Sequence, residues 1–165
     1  MLLSLYSSQL HDNPYGFYNH FKSKEALQSV AVSSFLNGRG AKWRADAGVD
    51  PTKPGPDMAR RMIRGYLSPE HLGDLDGQCP MIALPSDIAR AKPEGQSSYQ
   101  ELLAAMVGSF ESDLGGNSNR CRQKALSLAA LCVGGMVLAR TLPDSDLAEE
   151  VRRAAHDVAS EMTAK

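Results

Sequence analysis

Apolar residues recur along this chain at helical spacing, and nowhere do they alternate with polar ones over the length of a strand. The pattern predicts an all-α fold. Ser23 stands as a cap before Lys24 and Glu25, and Leu27, Val30, Ala31 and Phe35 then form one stripe of a helix expected to reach Ala47. Gly48 and the run Pro51, Pro54, Gly55, Pro56 break it and form the only plausible linker. A second helix carries Met58, Met62, Ile63, Tyr66 and Leu67 and stops near Ser68 and Pro69. Another starts at Cys79 and Pro80, with Pro85 expected to kink or split it before Ser86 and Asp87. After a loop from Pro93 to Ser97, the residues Tyr99, Leu102, Leu103, Met106, Val107 and Phe110 give the clearest amphipathic stripe.

Gly115, Gly116 and Asn117 end that helix, and the next runs from about Asn119 to Leu142. Its stretch from Ala125 to Ala139 is apolar on every side, which a helix on the outside of a monomer does not tolerate. At helical rise this stretch covers about 22 Å against the roughly 30 Å of a bilayer core, so a buried helix is expected and no membrane partner. The last helix follows Pro143 with an aspartate cap and sets Leu147, Val151, Ala154, Val158 and Met162 on one stripe. The two final helices read as a homodimer interface, with Ala130, Gly134, Val137, Leu147, Val151 and Val158 as its candidate residues. Ala129, Ala130, Gly134 and Gly135 allow close backbone approach; the alternative is that both helices pack inside a monomeric bundle. The expected division is a headpiece with its connecting helix over residues 1–47 and a body over 48–165.

With 165 residues, 42% hydrophobic and 22% charged, the composition is that of a folded globular protein. A net charge of −1 excludes a chain coated with base. The distribution is uneven, net +4 over residues 1–65 and −5 over the remainder, as a small phosphate-binding end on an acidic body requires. Cys79, Cys121 and Cys132 have neither disulfide nor zinc-site spacing. The N-terminus lacks the basic region and long apolar core of a signal peptide, so a cytoplasmic location is expected.

No phosphate loop, HExxH or GxSxG motif occurs, and the four histidines lack metal-ligand spacing. An enzyme, a metal and a cofactor are therefore not expected. The informative run is Gly16-Phe17-Tyr18-Asn19-His20-Phe21-Lys22-Ser23-Lys24-Glu25-Ala26-Leu27. Aromatics, a histidine and two lysines around a turn that opens a helix suit phosphate contacts, but on the residues alone a small aromatic core with solvated lysines is the better reading, since aromatics near a helix start usually pack.

This run resembles the signature that closes the helix-turn-helix of TetR/AcrR regulators, Gly-x-(Phe/Leu)-Tyr-x-His-Phe-x-(Ser/Asn)-Lys-Glu-x-Leu. The stretches Tyr66 to His71 and Gly77 to Arg90 resemble the regulatory domain of one branch of that family, and the closing helices with Leu138-Ala139-Arg140 are also similar. The resemblance implies a TetR-like helical regulatory domain that dimerises through its last two helices, with a partial N-terminal helix-turn-helix. Fifteen residues precede the signature where family members carry two further helices, and His11-Asp12-Asn13-Pro14 is turn chemistry where a recognition helix would begin. It implies phosphate contacts by Tyr18, His20, Lys22 and Lys24 on double-stranded DNA, with Tyr15 and Gly16 nearest the bases.

The implied function is that of a repressor released by a small hydrophobic effector, the alternative being a dimerising ligand-binding module without DNA activity. Met62, Tyr66, Met81, Tyr99, Met106 and Phe110 are the candidate effector-binding residues, although such stripes are also ordinary core. Cys79, at a helix N-terminus, is a candidate redox or electrophile sensor whose position would lower its thiol pKa, the better-supported alternative being a small residue that merely starts a helix.

Overall fold

The computed structural model describes residues 23–50, 57–75, 77–116, 118–143 and 145–164, and all regular structure among them is helical. The elements are α1 (Lys24–Asn37), α2 (Arg39–Asp46), α3 (Met58–Tyr66), α4 (Pro69–Gly73), α5 (Pro80–Ala83), α6 (Pro85–Ala89), α7 (Pro93–Asp113), α8 (Asn119–Thr141) and α9 (Asp146–Thr163). Serine side chains start four of them: Ser23, Ser68, Ser118 and Ser145 accept from the amides of Ala26, His71, Cys121 and Ala148. Each satisfies an amide that the first turn leaves without a helical partner. The cap of α9 is Ser145 rather than an aspartate.

The helix expected over 23–47 is two helices. Gly38 takes φ −108° and ψ −106°, outside helical values, and donates to the Ser34 carbonyl at 2.9 Å to close α1. Directly beyond it Gly40 is buried so tightly that an added Cβ would sit 2.6 Å from the Phe35 ring. The Arg44 guanidinium donates to the Leu36 carbonyl at 2.8 Å, satisfying an acceptor in the last turn of α1. The inward face of α1 also differs from the expected stripe: Gln28 and Val32 are buried while Val30 is largely exposed. That is the face turned toward α7 and α5.

Pro85 does divide α5 from α6, as its missing N–H requires. Pro93 starts α7 within its first turn, so residues 93–97 are helix and not loop. The centre of the molecule is α7, which packs against α1, α3, α5, α6 and α8. Its Leu102, Met106, Val107 and Phe110 meet Met58, Met62 and Ile63 of α3 and Leu128, Cys132 and Met136 of α8 in one core. Asp113 at its end accepts from the Ala59 amide at 3.2 Å and thereby caps α3 from outside.

The closest pair is α8 and α9. Their shared seam is made of small side chains: Ala148, Ala155 and Ala159 of α9 are buried, and a Cβ on Gly135 would stand 2.6 Å from that of Ala155. Arg152 is also buried on this face; it donates to the Leu67 carbonyl at the end of α3 and pairs with Glu149. A buried cation with both hydrogen-bond partners in place is tolerated and locks α9 to α3.

Candidate functional site

Between α7 and the α1–α2 elbow lies a cavity of about 540 Å³, within the range of small-molecule sites. One wall is Met62 and Tyr66 of α3 with Met81 of α5; another is Leu102, Ala105 and Met106 of α7; Phe35, Leu36 and Trp43 close it from α1 and α2. The exposed side chains of Arg39, Lys42 and Asp46 form its rim, and Lys42 is paired with Asp46 at 2.9 Å. Trp43 is seated on α3 because Gly65 there has no side chain; a Cβ would approach its ring to 3.0 Å.

Trp43, Tyr66 and His71 pack as an aromatic cluster at one end of the cavity. The ring centroids of Tyr66 and His71 are 4.9 Å apart, edge to face, and Trp43 lies 6.1 Å from Tyr66. His71 Nδ1 is 2.7 Å from the Tyr66 carbonyl oxygen, so in the neutral ring that nitrogen carries the proton. Burial holds the imidazole below its usual pKa and so keeps it neutral. Burial, followed by the Cys79 thiol, pushes the Tyr66 phenol well above its ordinary range. Tyr66 is buried at 3% exposure, and its hydroxyl, beside the Cys79 thiol, has no hydrogen-bond partner of good geometry.

Four of the six expected effector-binding residues, Met62, Tyr66, Met81 and Met106, line this cavity. Tyr99 instead donates to the Met81 carbonyl at 3.1 Å and ties α7 to α5. Phe110 is a correction: it is fully buried at 0% exposure, one turn beyond Met106 and inside the core. The stripe that carried both is continuous core along α7, and only its Leu102–Met106 part meets open space. Sequence reasoning did not single out Phe35, Trp43, His71 or Leu102. Leu102 stands one turn before Met106 and Trp43 is the lone tryptophan on an otherwise polar helix, signals that point to burial but not to a cavity.

Cys79 is also corrected. It is 3% exposed, and burial raises its thiol pKa, the reverse of the shift expected from a helix N-terminus. The helix it precedes has only four residues and too small a dipole to offset desolvation. Cys132 is likewise buried, its pKa pushed up to about 12, whereas Cys121 is partly exposed. Iodoacetamide is therefore expected to label Cys121 first, with Cys79 and Cys132 reacting on unfolding; peptide mass mapping that found Cys79 labelled first would contradict this burial.

Among the expected DNA contacts, Tyr15, Gly16, Tyr18, His20 and Lys22 lie outside the described residues, as does the side chain of Lys24. The candidate interface residues Ala130, Leu147 and Val158 are exposed, and Gly134, Val137 and Val151 are half-buried. With Leu126 and Leu138 they leave an apolar band across α8 and α9, Leu138 at 57% and Leu147 at 55% exposure. By length and composition alone α8 could cross a membrane, yet only 39% of its most apolar window is buried within the chain. Gly135 and Ala129, read as part of the same band, face inward. No group of three metal-ligating side chains is found among the described residues. No family model and no curated protein matches the chain.

Proposed function

We propose that this chain is a cytoplasmic, homodimeric transcriptional regulator of the TetR type, a repressor whose hold on operator DNA is relieved by a small hydrophobic effector. The observation that carries the reading is the position of the cavity. Its outer wall is α1, whose first turn holds the last four residues of the Gly16-to-Leu27 signature run, and α2, through Phe35, Leu36 and Trp43. A ligand filling that space bears on the segment that would orient the DNA-reading head, and differential ligand contact with two orientations is what couples two sites. The all-helical body and the resemblance of the signature point the same way.

The exposed band on α8 and α9 is assigned to a second copy of the chain. Isologous packing would cover an apolar surface continuous over two adjacent helices, including the side of α8 that the monomer leaves uncovered. The joint variant Leu138→Glu and Val158→Glu is expected to turn a dimer into a folded monomer by ultracentrifugation. In fluorescence anisotropy the wild-type chain should bind DNA flanking its own gene more tightly than random duplex, and the monomeric variant at least about tenfold more weakly. A wild-type monomer at micromolar concentration, or equal affinity for both duplexes, would remove the repressor reading.

A further inference from the structure

At the inner end of the cavity, hydrogen-bonding groups of Tyr66 and of Arg140 behind it stand without acceptors. Tyr66 lines the cavity, and its buried hydroxyl, beside the Cys79 thiol, has no hydrogen-bond partner of good geometry. Behind it, in the last turn of α8, the Arg140 guanidinium donates through one nitrogen to the carbonyls of His71 and Asp74. Its Nε and Nη1 are buried without partners. Arg140 is close enough to Tyr66, His71 and Cys79 to act electrostatically on all three.

The carboxylates nearby are already engaged: Asp74 accepts from the Gly77 amide at 2.7 Å, and Asp46 is paired with Lys42. The cavity lining holds Arg39, Lys42 and Arg44 against Asp46 and Asp74, so with Arg140 the positive charge is in excess. The remaining walls, Met62, Met81, Leu102 and Met106, are apolar and adaptable. Buried donors without acceptors are unfavourable, and a ligand that supplies the acceptor recovers that loss.

We propose that the cavity binds a carboxylate-ended amphiphile, its hydrocarbon part among the methionines and its carboxylate accepting from the Tyr66 hydroxyl in the field of Arg140. This deepens the proposed function and rests on it only in treating the cavity as the effector site. Charge-assisted acceptance from a phenol is stronger than the neutral bond an alcohol makes. An ammonium end would add a second cation beside the Arg140 guanidinium.

Trp43, the only tryptophan, lines the cavity and reports on its filling. Titrating the full chain with decanoate, decanol and decylamine and following tryptophan emission should give saturable binding. Decanoate is expected to bind about tenfold more tightly than either of the others. Tyr66→Phe and Arg140→Met should each weaken decanoate about tenfold and decanol far less, and Leu102→Trp should weaken all three by filling the space. Should one of the polar variants fail to fold by circular dichroism, the other decides. Equal affinity for the three compounds, tighter decylamine, or decanoate binding unmoved in a folded variant would overturn the proposal. DNA released by decanol or decylamine but not by decanoate would overturn it while leaving the repressor reading intact. Decanoate bound selectively without any change in DNA affinity would leave the proposal standing and remove the effector role.

Discussion

Phe110→Ala is expected to lose about 3 to 5 kcal/mol of folding stability, a large share of the roughly 5 to 15 kcal/mol that a domain possesses. The ring is fully buried on α7, the helix that packs against α1, α3, α5, α6 and α8. Truncation removes its transfer free energy and leaves a void that Met58, Ile63, Val107 and Leu128, themselves fully buried around the same core, cannot collapse to fill. Urea denaturation followed by circular dichroism measures the loss as a lower midpoint. Met106→Ala, one turn earlier at the cavity wall, should be milder because its side chain already borders open space. A Phe110 variant with a nearly unchanged midpoint would show that the ring faces the cavity after all.

Two neighbouring glycines of α8 should respond in opposite directions. A Cβ on Gly135 meets the Ala155 methyl at 2.6 Å and the Leu67 side chain at 3.4 Å, and both partners are anchored in helices or their caps. Gly135→Val must separate α8 from α9 and is expected to lose about 2 to 3 kcal/mol, lowering Tm by about 5 to 10 °C. A Cβ on Gly134 meets nothing within 4 Å. Gly134→Ala, made in the monomeric Leu138→Glu and Val158→Glu background, should gain about 0.5 to 1 kcal/mol by stiffening the unfolded chain and favouring helix. Differential scanning calorimetry of the pair tests the seam; equal shifts in the two variants would mean that α8 is rotated from the orientation described here.

The long helices were legible because their signals are redundant. In α7 the apolar spacing and the glycines after the last turn agree, whereas its start at Pro93 reads as loop and the cap of α9 as an aspartate where Ser145 serves. The break at Gly38 was hidden because a glycine between helical stripes is ordinarily tolerated, and only the burial of Gly40 beneath Phe35 forces the turn. The orientation of α9 was not legible: its apolar stripe suits a partner or a bundle interior alike, and in the structure alanines and Arg152 take the inner face while Leu147 and Val158 are left outside. A small-residue seam is hard to foresee, since size alone does not tell a packed alanine from a solvated one.

The cavity was legible only in part. Periodicity marks Met62, Tyr66, Met81 and Met106 as inward-facing, but whether an inward residue meets another side chain or a void depends on the arrangement of several helices. Trp43 and Phe35 come from elements joined by a turn the pattern does not reveal, and His71 comes from a five-residue helix with no stripe of its own. The Cys79 expectation failed on the same ground: local sequence announces a helix start, while desolvation is set by everything packed above it.

The elbow at Gly38 has a mechanical meaning. An uninterrupted helix over residues 24–46 would be a rod of about 34 Å, stiff enough to pass any tilt at one tip to the other. Cut into arms of about 21 and 12 Å, it behaves as a jointed strut. The shorter arm is pinned where Trp43 rests on Gly65, and the longer one is steadied along its flank by α7. The direction of α1 therefore follows two separate supports, and a shift in either support redirects its N-terminal tip without bending a helix.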